Sequence, residues 1–201
     1  MNTARTKTLT IAITGASGSI LPKHLLDALD RDDRVATINL IVSDSGLRVM
    51  AEELGLSGRN EIVPKLLGRA SSKIHLQNND DIGANVASGS YATDAMIVLP
   101  CSMGTLARIA NGMAIHLIER AADVCLKERR PLILCVRETP FNRIHLHNMT
   151  LAAEAGATLF PVIPAFYFQP ASTDDIAREF ANRVLQHIGL PQTGAYEWKA
   201  T

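Results

Sequence analysis

The sequence predicts a doubly wound, Rossmann-like α/β fold in which a parallel sheet is sandwiched by helices. Short apolar runs alternate along the chain with segments whose apolar residues recur at helical spacing. The predicted strands are continuous apolar runs, as expected when helices cover both faces of a parallel sheet. Because ligands of such folds bind at the carboxyl ends of the strands, the strand-to-helix junctions are the candidate sites.

The elements follow one another in regular order. The predicted strands are residues 9–14, 37–42, 95–99, 132–136 and 158–162. The predicted helices run from the first glycine-rich segment to about residue 29, and over 44–54, 103–128, 142–155 and 173–188. Pro100 ends the third strand, Gly112 is a candidate break in the third helix, and Gly156 ends the fourth. Residues 55–79 carry Pro64 and several glycines, and are predicted to be irregular.

Composition limits the roles that the chain can have. Its 201 residues fit one domain, with a core over about residues 8–188 and short extensions at both ends. Twenty basic side chains balance twenty acidic ones, so no net charge favours nucleic acid or an anionic membrane, and self-assembly is not opposed. Three cysteines without a C-x-x-C pair indicate neither a disulfide framework nor a thiolate zinc site, and suit the cytoplasm. The first apolar run, residues 9–13, is too short for a secretory signal or a membrane span.

Three junctions place small hydroxyl residues where helices are predicted to begin. The first contains Gly15-Ala16-Ser17-Gly18, whose backbone N–H groups at a helix start attract anions. It is neither the G-x-G-x-x-G dinucleotide fingerprint nor a P-loop. The hydroxyls of the other two junctions belong to Ser43, Ser102 and Thr105. Each of these residues also suits an ordinary helix cap.

Two later junctions carry charged and aromatic groups. Arg137 and Glu138 directly follow an apolar strand and precede a proline, where a charge is costly to bury unless it is paired or bound to a ligand. Arg137 is a candidate phosphate ligand and Glu138 a candidate proton carrier, and a surface ion pair is the alternative. Tyr167 follows a proline-stiffened loop, and Arg183 lies beside the apolar stripe of the last helix.

No metal site is predicted. The six histidines form no H-E-x-x-H pattern, and no D-D-x-x-D cluster of the kind that binds magnesium diphosphate is present.

Taken together, these junctions resemble the UbiX family of flavin prenyltransferases from about residue 8 to residue 188. The matching segments are Gly15-Ala16-Ser17-Gly18, Ala87-Ser88-Gly89-Ser90, Pro100-Cys101-Ser102-Met103-Gly104-Thr105-Leu106, Arg120-Ala121-Ala122-Asp123-Val124-Cys125-Leu126-Lys127-Glu128, Arg137-Glu138-Thr139-Pro140 and Pro164-Ala165-Phe166-Tyr167. The sequence departs from the family at Ser19-Ile20-Leu21-Pro22, where the family has a tyrosine and a glycine, and at the apolar segment Met113-Ala114-Ile115-His116.

The resemblance implies an enzyme that transfers the dimethylallyl group of dimethylallyl phosphate to reduced flavin mononucleotide (FMN), without a metal. A diphosphate donor stays open. It also implies that prenylated FMN is passed to a UbiD-type decarboxylase, and that the chain forms trimers assembled into a dodecamer with FMN at subunit interfaces.

The resemblance further implies a role for individual residues. Flavin contacts are expected at Ala16, Ser17, Gly18, Ser43, Ser88, Ser90, Ser102, Met103, Gly104, Thr105 and Arg137. Donor contacts are expected at Arg120, Lys127, Tyr167 and Arg183, and catalytic roles at Glu138, Glu53, Ser17 and Lys127. Two alternatives stay open, namely an FMN-dependent decarboxylase of an aromatic acid or peptidyl cysteine, and a non-catalytic flavin carrier.

Overall fold

A computed structural model describes residues 5–56, 58–59 and 61–198, and its centre is a parallel sheet of six strands. The strands are β1 (Lys7–Ile13), β2 (Val35–Val42), β3 (Ile74–Gln77), β4 (Ala95–Cys101), β5 (Leu132–Val136) and β6 (Thr158–Leu159). The helices are α1 (Ile20–Arg31), α2 (Asp44–Leu54), α3 (Ile62–Leu67), α4 (Met103–Ala110), α5 (Leu117–Lys127), α6 (Arg143–Glu154) and α7 (Thr173–His187). A short 3₁₀ turn spans Asn85–Ala87. The strand order β3-β2-β1-β4-β5-β6 is that of a doubly wound sheet, which confirms the predicted fold class.

Helices cover both faces of this sheet because its strands are apolar on both sides. On one face, α1, α2, α3 and α7 pack on side chains such as Leu9, Ile11 and Ile97. On the other face, α4, α5 and α6 pack on side chains such as Met96 and Val98. Successive residues of β4 therefore belong to different clusters, as the period of two along a strand requires. In the described part of the chain, no helix is long and apolar enough to cross a bilayer.

The structure differs from the local predictions in four places. Residues 55–79 are not irregular throughout, since they contain α3 and β3, two short elements that tertiary packing of Ile62, Leu66 and Ile74 stabilises. The predicted helix over 103–128 is two helices, because the candidate break at Gly112 has a φ of 66° and a new capped helix begins after His116. The strand predicted over residues 95–99 is β4, which continues through Pro100 to Cys101. The strand predicted over 158–162 is β6, which is only two residues long.

The ends of the chain are only partly described. The predicted N-terminal extension falls mainly on residues 1–4, which lie outside the described residues. At the other end, Leu190 is buried, the backbone N–H of Tyr196 donates to Glu179, and Trp198 packs edge-on against Tyr167. The described part of the C-terminal extension is therefore folded back onto α7 and the loop before it.

Candidate functional site

The junctions predicted to bind a ligand meet at the carboxyl edge of the sheet. The hydroxyl of Thr14, just after β1, donates to the carbonyl of Pro100 over 2.8 Å and accepts from the backbone N–H of Ser102 over 2.8 Å. The N–H of Ser43 donates to the carbonyl of Ile13, and the N–H of Arg137 donates to the carbonyl of Cys101. These hydrogen bonds tie the ends of β1, β2, β4 and β5 into one continuous row. The chain reverses its winding direction between β1 and β4, so this row lies at the topological switch point.

The first junction is closely fitted to its surroundings. A Cβ on Gly15 would lie 2.5 Å from the side chain of Ser45, and Gly18 has a φ of 118°, which disfavours any residue with a side chain. Beside it, Leu21 and Pro22 are buried. The departure from the family pattern at residues 19–22 therefore supplies core residues to α1.

Glu53 is held against the first junction. Its carboxylate accepts hydrogen bonds from the backbone N–H of Gly18 at 3.1 Å and of Ser19 at 2.7 Å. Burial raises the pKa of Glu53, but hydrogen bonds from Ser17, Ser19 and Gly18 outweigh it, so the pKa falls below its ordinary value of 4.5. The structure thus brings two predicted catalytic residues, Ser17 and Glu53, into contact.

Two of the predicted hydroxyls are helix caps. Ser43 accepts from the N–H of Gly46 at the start of α2, and Ser102 accepts from the N–H of Thr105 at the start of α4. Capping and ligand binding are compatible here, because a cap satisfies only one of the free N–H groups of a helix start. The N–H groups of Met103 and Gly104 remain in the first turn of α4, at the positive end of the helix dipole.

Arg137 and Glu138 do not form the surface ion pair that was the alternative to a binding role. Glu138 is exposed and accepts a hydrogen bond from the N–H of Thr139, and Arg137 is half-buried. Among the described residues, neither side chain forms an ion pair. Both therefore keep their charged groups free for a ligand or for another chain.

A second group of predicted residues lies elsewhere. Ser88 and Ser90 share a hydrogen bond of 2.8 Å between their hydroxyls. Gly89 between them abuts Lys127, since a Cβ on Gly89 would lie 2.7 Å from Nζ of that lysine. Arg120 donates to the carbonyl of Ala87. This loop leads into the start of β4, and Lys127 ends the helix that leads into β5, so the group lies at the amino edge of the sheet.

The amino-edge group is not joined to the carboxyl-edge junctions within one chain. Strands of five to seven residues separate the two edges by roughly 20 Å. Ser88, Ser90, Arg120 and Lys127 are therefore not brought together with Ser17 and Ser102 inside a single chain, since the sheet lies between them.

A third group lines a cavity of about 920 Å³. Tyr167, Arg183 and Trp198 contribute to its wall, and Arg183 is hydrogen-bonded to Gln186. Ile163, Phe166, Tyr167 and Trp198 are large side chains that are each more than 60% exposed. Exposed apolar surface of this extent is typical of a protein interface.

Sequence reasoning missed two features of the carboxyl edge. Thr14 ends the first apolar run, but its bridging role depends on the loop after β4, which is distant in sequence. Arg108 and Glu119 form an ion pair of 2.6 Å between α4 and α5, in which Glu119 is 3% exposed. Nothing in the sequence reveals that pair, because it depends on how the chain folds back between the two helices.

The donor set at the carboxyl edge fits a flavin nucleotide. Hydroxyl groups and the first turn of α4 suit a phosphate. The backbone of Arg137 is bonded to Cys101 just before that turn, and its side chain forms no ion pair among the described residues. Cys101 is fully buried, and burial raises the pKa of its thiol to about 12, so it is not a nucleophile at neutral pH. In the described residues, no three metal-binding side chains come together.

Comparison with known proteins relates this chain to flavoproteins and, among them, to flavin prenyltransferases. The family model described as Flavoprotein matches residues 2–182. A flavin prenyltransferase UbiX from Pseudomonas aeruginosa is 41% identical over 196 residues, covering 94% of this chain and 93% of the relative. The UbiX protein of Escherichia coli is also 41% identical, over 96% of this chain and 98% of the relative.

Solved structures agree. AnUbiX in complex with FMN and dimethylallyl pyrophosphate superposes with a TM-score of 0.87 at 38% identity, covering 98% of this chain and all of that chain. A dodecameric FMN-dependent UbiX-like decarboxylase from Escherichia coli gives a TM-score of 0.86 at 40% identity, covering 96% and 100%. The peptidyl-cysteine decarboxylase EpiD reaches a TM-score of only 0.55 at 19% identity, which is a likeness of fold alone.

We call the hydrogen bonds from Gly18 and Ser19 to the carboxylate of Glu53 the Glu53 clamp. We expect this clamp to make a pH-dependent contribution to the free energy of unfolding. Because the folded-state pKa of Glu53 is depressed, its contribution is fully present above the unfolded value and is lost as pH falls through the folded value. E53Q should therefore lower the free energy of unfolding by about 1 kcal/mol at pH 7, where partial exposure weakens the hydrogen bonds. The deficit should shrink as the pH is lowered below about 4.5. Urea unfolding of the wild type and of E53Q at a series of pH values measures this difference in the free energy of unfolding. E52Q, on the same helix, is the control. A deficit that does not change with pH would contradict the clamp.

Proposed function

Because the chain belongs to the Flavoprotein family and is a flavin prenyltransferase of the UbiX type, we propose that it joins the dimethylallyl group of dimethylallyl phosphate to reduced FMN at a site shared between copies of the chain. The observation that carries this proposal is the hydrogen-bonded row of junctions at the carboxyl edge, which presents hydroxyls, helix N–H groups and a free arginine together. Reduced FMN supplies the electron-rich ring that accepts the prenyl group.

We assign FMN to the carboxyl edge. Its phosphate is held at the first turn of α4 by the hydroxyl of Thr105 and by the N–H groups of Met103 and Gly104, where the helix dipole favours an anion. The hydroxyl of Ser102 donates to that of Thr105 and so helps to orient it. The remaining contacts of this chain with the flavin are Ala16, Ser17, Gly18, Ser43 and Arg137. Gly15 lets the first junction pack directly against Ser45 of α2, which places its backbone beside the end of β2.

The donor site is completed by a second copy of the chain. Arg120, Lys127, Ser88 and Ser90 lie at the amino edge of the sheet, so they reach the flavin of a neighbouring copy rather than their own. Tyr167 and Arg183 line a cavity whose rim carries exposed apolar side chains. A homo-oligomer of trimers, up to the dodecamer that a similar structure forms, accounts for both observations.

Positive side chains suit the donor chemistry. Breaking the allyl–phosphate bond leaves an anion on the phosphate, and the cations of Arg120, Lys127 and Arg183 stabilise that charge as it develops. Tyr167 donates a hydrogen bond to the same oxygens. Lys127 is paired with Glu128 over 2.5 Å in the free chain, so binding of phosphate must compete with that carboxylate.

Glu138 is the proposed proton carrier. It is exposed at the carboxyl edge, one residue from Arg137, and accepts only the N–H of Thr139 among the described residues. It can therefore accept the proton that the alkylated ring carbon gives up, or deliver one to the departing phosphate. Glu53 and Ser17, which contact each other, orient the flavin beside it.

The product, prenylated FMN, is a cofactor precursor, and its proposed recipient is a UbiD-type decarboxylase. Cys101, Cys125 and Cys135 are all free and buried, which suits a reducing compartment such as the cytoplasm.

Formation of the product is the direct test of the function. Purified protein is incubated without oxygen with reduced FMN and dimethylallyl phosphate or the diphosphate, and the mass of the extracted flavin is measured by mass spectrometry. The expected result is an increase by one dimethylallyl group, preserved in EDTA. Flavin that binds but returns unchanged with both donors would identify a carrier, and turnover that needs magnesium would overturn metal independence.

Replacement of Glu138 tests the proton carrier. E138Q keeps the size of the side chain but cannot accept a proton, so turnover should fall about 10²–10⁴-fold while FMN binding stays near normal. E154Q, at the far end of α6, is the control and should be fully active. Turnover of E138Q at the wild-type rate, with FMN bound, would transfer the role to another group.

Mixing two inactive variants tests the shared site. S102A/R137M impairs the carboxyl edge and K127M impairs the amino edge, so each homo-oligomer should lose most activity. Oligomers refolded or co-expressed from both chains should regain part of it, because some sites receive an intact edge from each chain. Mixtures that stay inactive, although mass measurement shows mixed oligomers, would exclude a site made of these two edges.

A further inference from the structure

Arg108 reaches the first turn of α4 from one turn further along the same helix. Its Nε donates to Glu119 over 2.6 Å, and its Nη2 lies 3.3 Å from the hydroxyl of Thr105. A Cβ placed on Gly104 would lie 3.7 Å from Nη1 of Arg108, so this nitrogen lies beside the backbone of the turn. In the described part of the chain, no acceptor takes a hydrogen bond from Nη1.

Glu119 fixes this arginine in place. Its side chain is 3% exposed, whereas that of Arg108 is 36% exposed, so the buried carboxylate anchors a guanidinium whose outer side faces solvent. The second oxygen of Glu119 accepts the N–H of His116 at the start of α5. The carboxylate of Glu119 is therefore held by Arg108 of α4 and by the backbone at the start of α5, and its fixed position gives the guanidinium of Arg108 a single orientation.

This arrangement determines how the hydroxyl of Thr105 is oriented. Its oxygen accepts a hydrogen bond from Nη2 of Arg108 and another from the hydroxyl of Ser102 at 3.1 Å. With both acceptor positions used, the proton of Thr105 remains to be donated. A phosphate binds hydrogen-bond donors. By occupying an acceptor position of the Thr105 hydroxyl, Arg108 leaves that hydroxyl to act as a donor to an anion.

We infer that Arg108 is a positioning residue for the phosphate of FMN: it orients the hydroxyl of Thr105 as a donor and adds a fixed positive charge beside Gly104. The inference rests on the proposed placement of FMN at α4. It also explains a buried ion pair that the prenyl-transfer chemistry does not otherwise use.

The test compares FMN with riboflavin, which has the same ring and no phosphate. Both dissociation constants are measured on the whole protein by flavin fluorescence, for the wild type and for R108M. Wild-type protein should bind FMN more tightly than riboflavin. R108M should bind FMN roughly tenfold or more weakly, since hydrogen bonds to charged groups contribute at that level, and riboflavin with little change.

Three further variants separate a role at the phosphate from a general role in folding. R48M removes an equally charged side chain from an exposed pair with Glu52, and both affinities should stay at the wild-type level. R108M/E119M removes both partners, so it leaves no unpaired buried charge and keeps the fold testable if R108M alone unfolds. R108K keeps a charge but loses the planar fork, and should recover only part of the preference for FMN.

The outcomes are distinct. Selective loss of FMN affinity in R108M or in the double variant supports the inference. An unchanged ratio of the two dissociation constants, or an equal loss of both ligands in a folded variant, overturns it. A wild-type protein that binds FMN no better than riboflavin would instead refute the proposed phosphate site at α4.

Discussion

The hydrogen bonds of Thr14 are the interaction on which the rest of the carboxyl edge depends. A parallel sheet leaves the ends of its two central strands side by side, and the loops that follow them diverge to opposite faces. Thr14 joins the two loops through Pro100 and Ser102, and it is 1% exposed, so water does not compete for its hydrogen bonds. The start of α4 is thereby set against the end of β1, and the junctions after β2 and β5 align with it through backbone hydrogen bonds.

Two carboxylates, those of Glu53 and Glu119, give the starts of α1 and α4 different electrostatic surroundings. Glu53 reaches across from α2 and occupies the N–H groups at Gly18 and Ser19, so this helix start is already neutralised by the protein's own anion. Glu119 instead pairs with a cation and leaves the N–H groups of α4 uncovered. Of the starts of α1 and α4, which follow the two central strands, that of α4 has no carboxylate on its first-turn N–H groups in the described part of the chain, which suits the proposed phosphate. The same physical element, a helix N-terminus, therefore has different uses according to which side chain faces it.

The sheet also separates the two groups of candidate site residues, so that one chain cannot bring them together. The cations at the amino edge that are proposed to bind the donor are separated by their own sheet from the proposed flavin site at the carboxyl edge. Exposed apolar side chains such as Phe141, Ile144 and Leu146 lie near the carboxyl edge at the start of α6. The proposed assembly accounts for both features, because it would cover the apolar surface and bring the two edges of different copies together. The near-balance of charges in the sequence removes an obstacle to that assembly.

The sequence by itself determined the sheet, its parallel sense and the edge at which the candidate site lies, because continuous apolar strands and glycine–serine junctions are local signals. Residues 44–54 and 132–136 agree with α2 and β5 residue for residue. Tertiary structure alone decided α3 and β3, which are too short to form without packing, and the extent of the break between α4 and α5. It also decided which of the predicted site residues meet. Ser17 and Glu53 are 36 positions apart and touch, whereas Lys127 and Arg137 are ten apart and lie at opposite edges, since a strand between two residues separates them by its whole length.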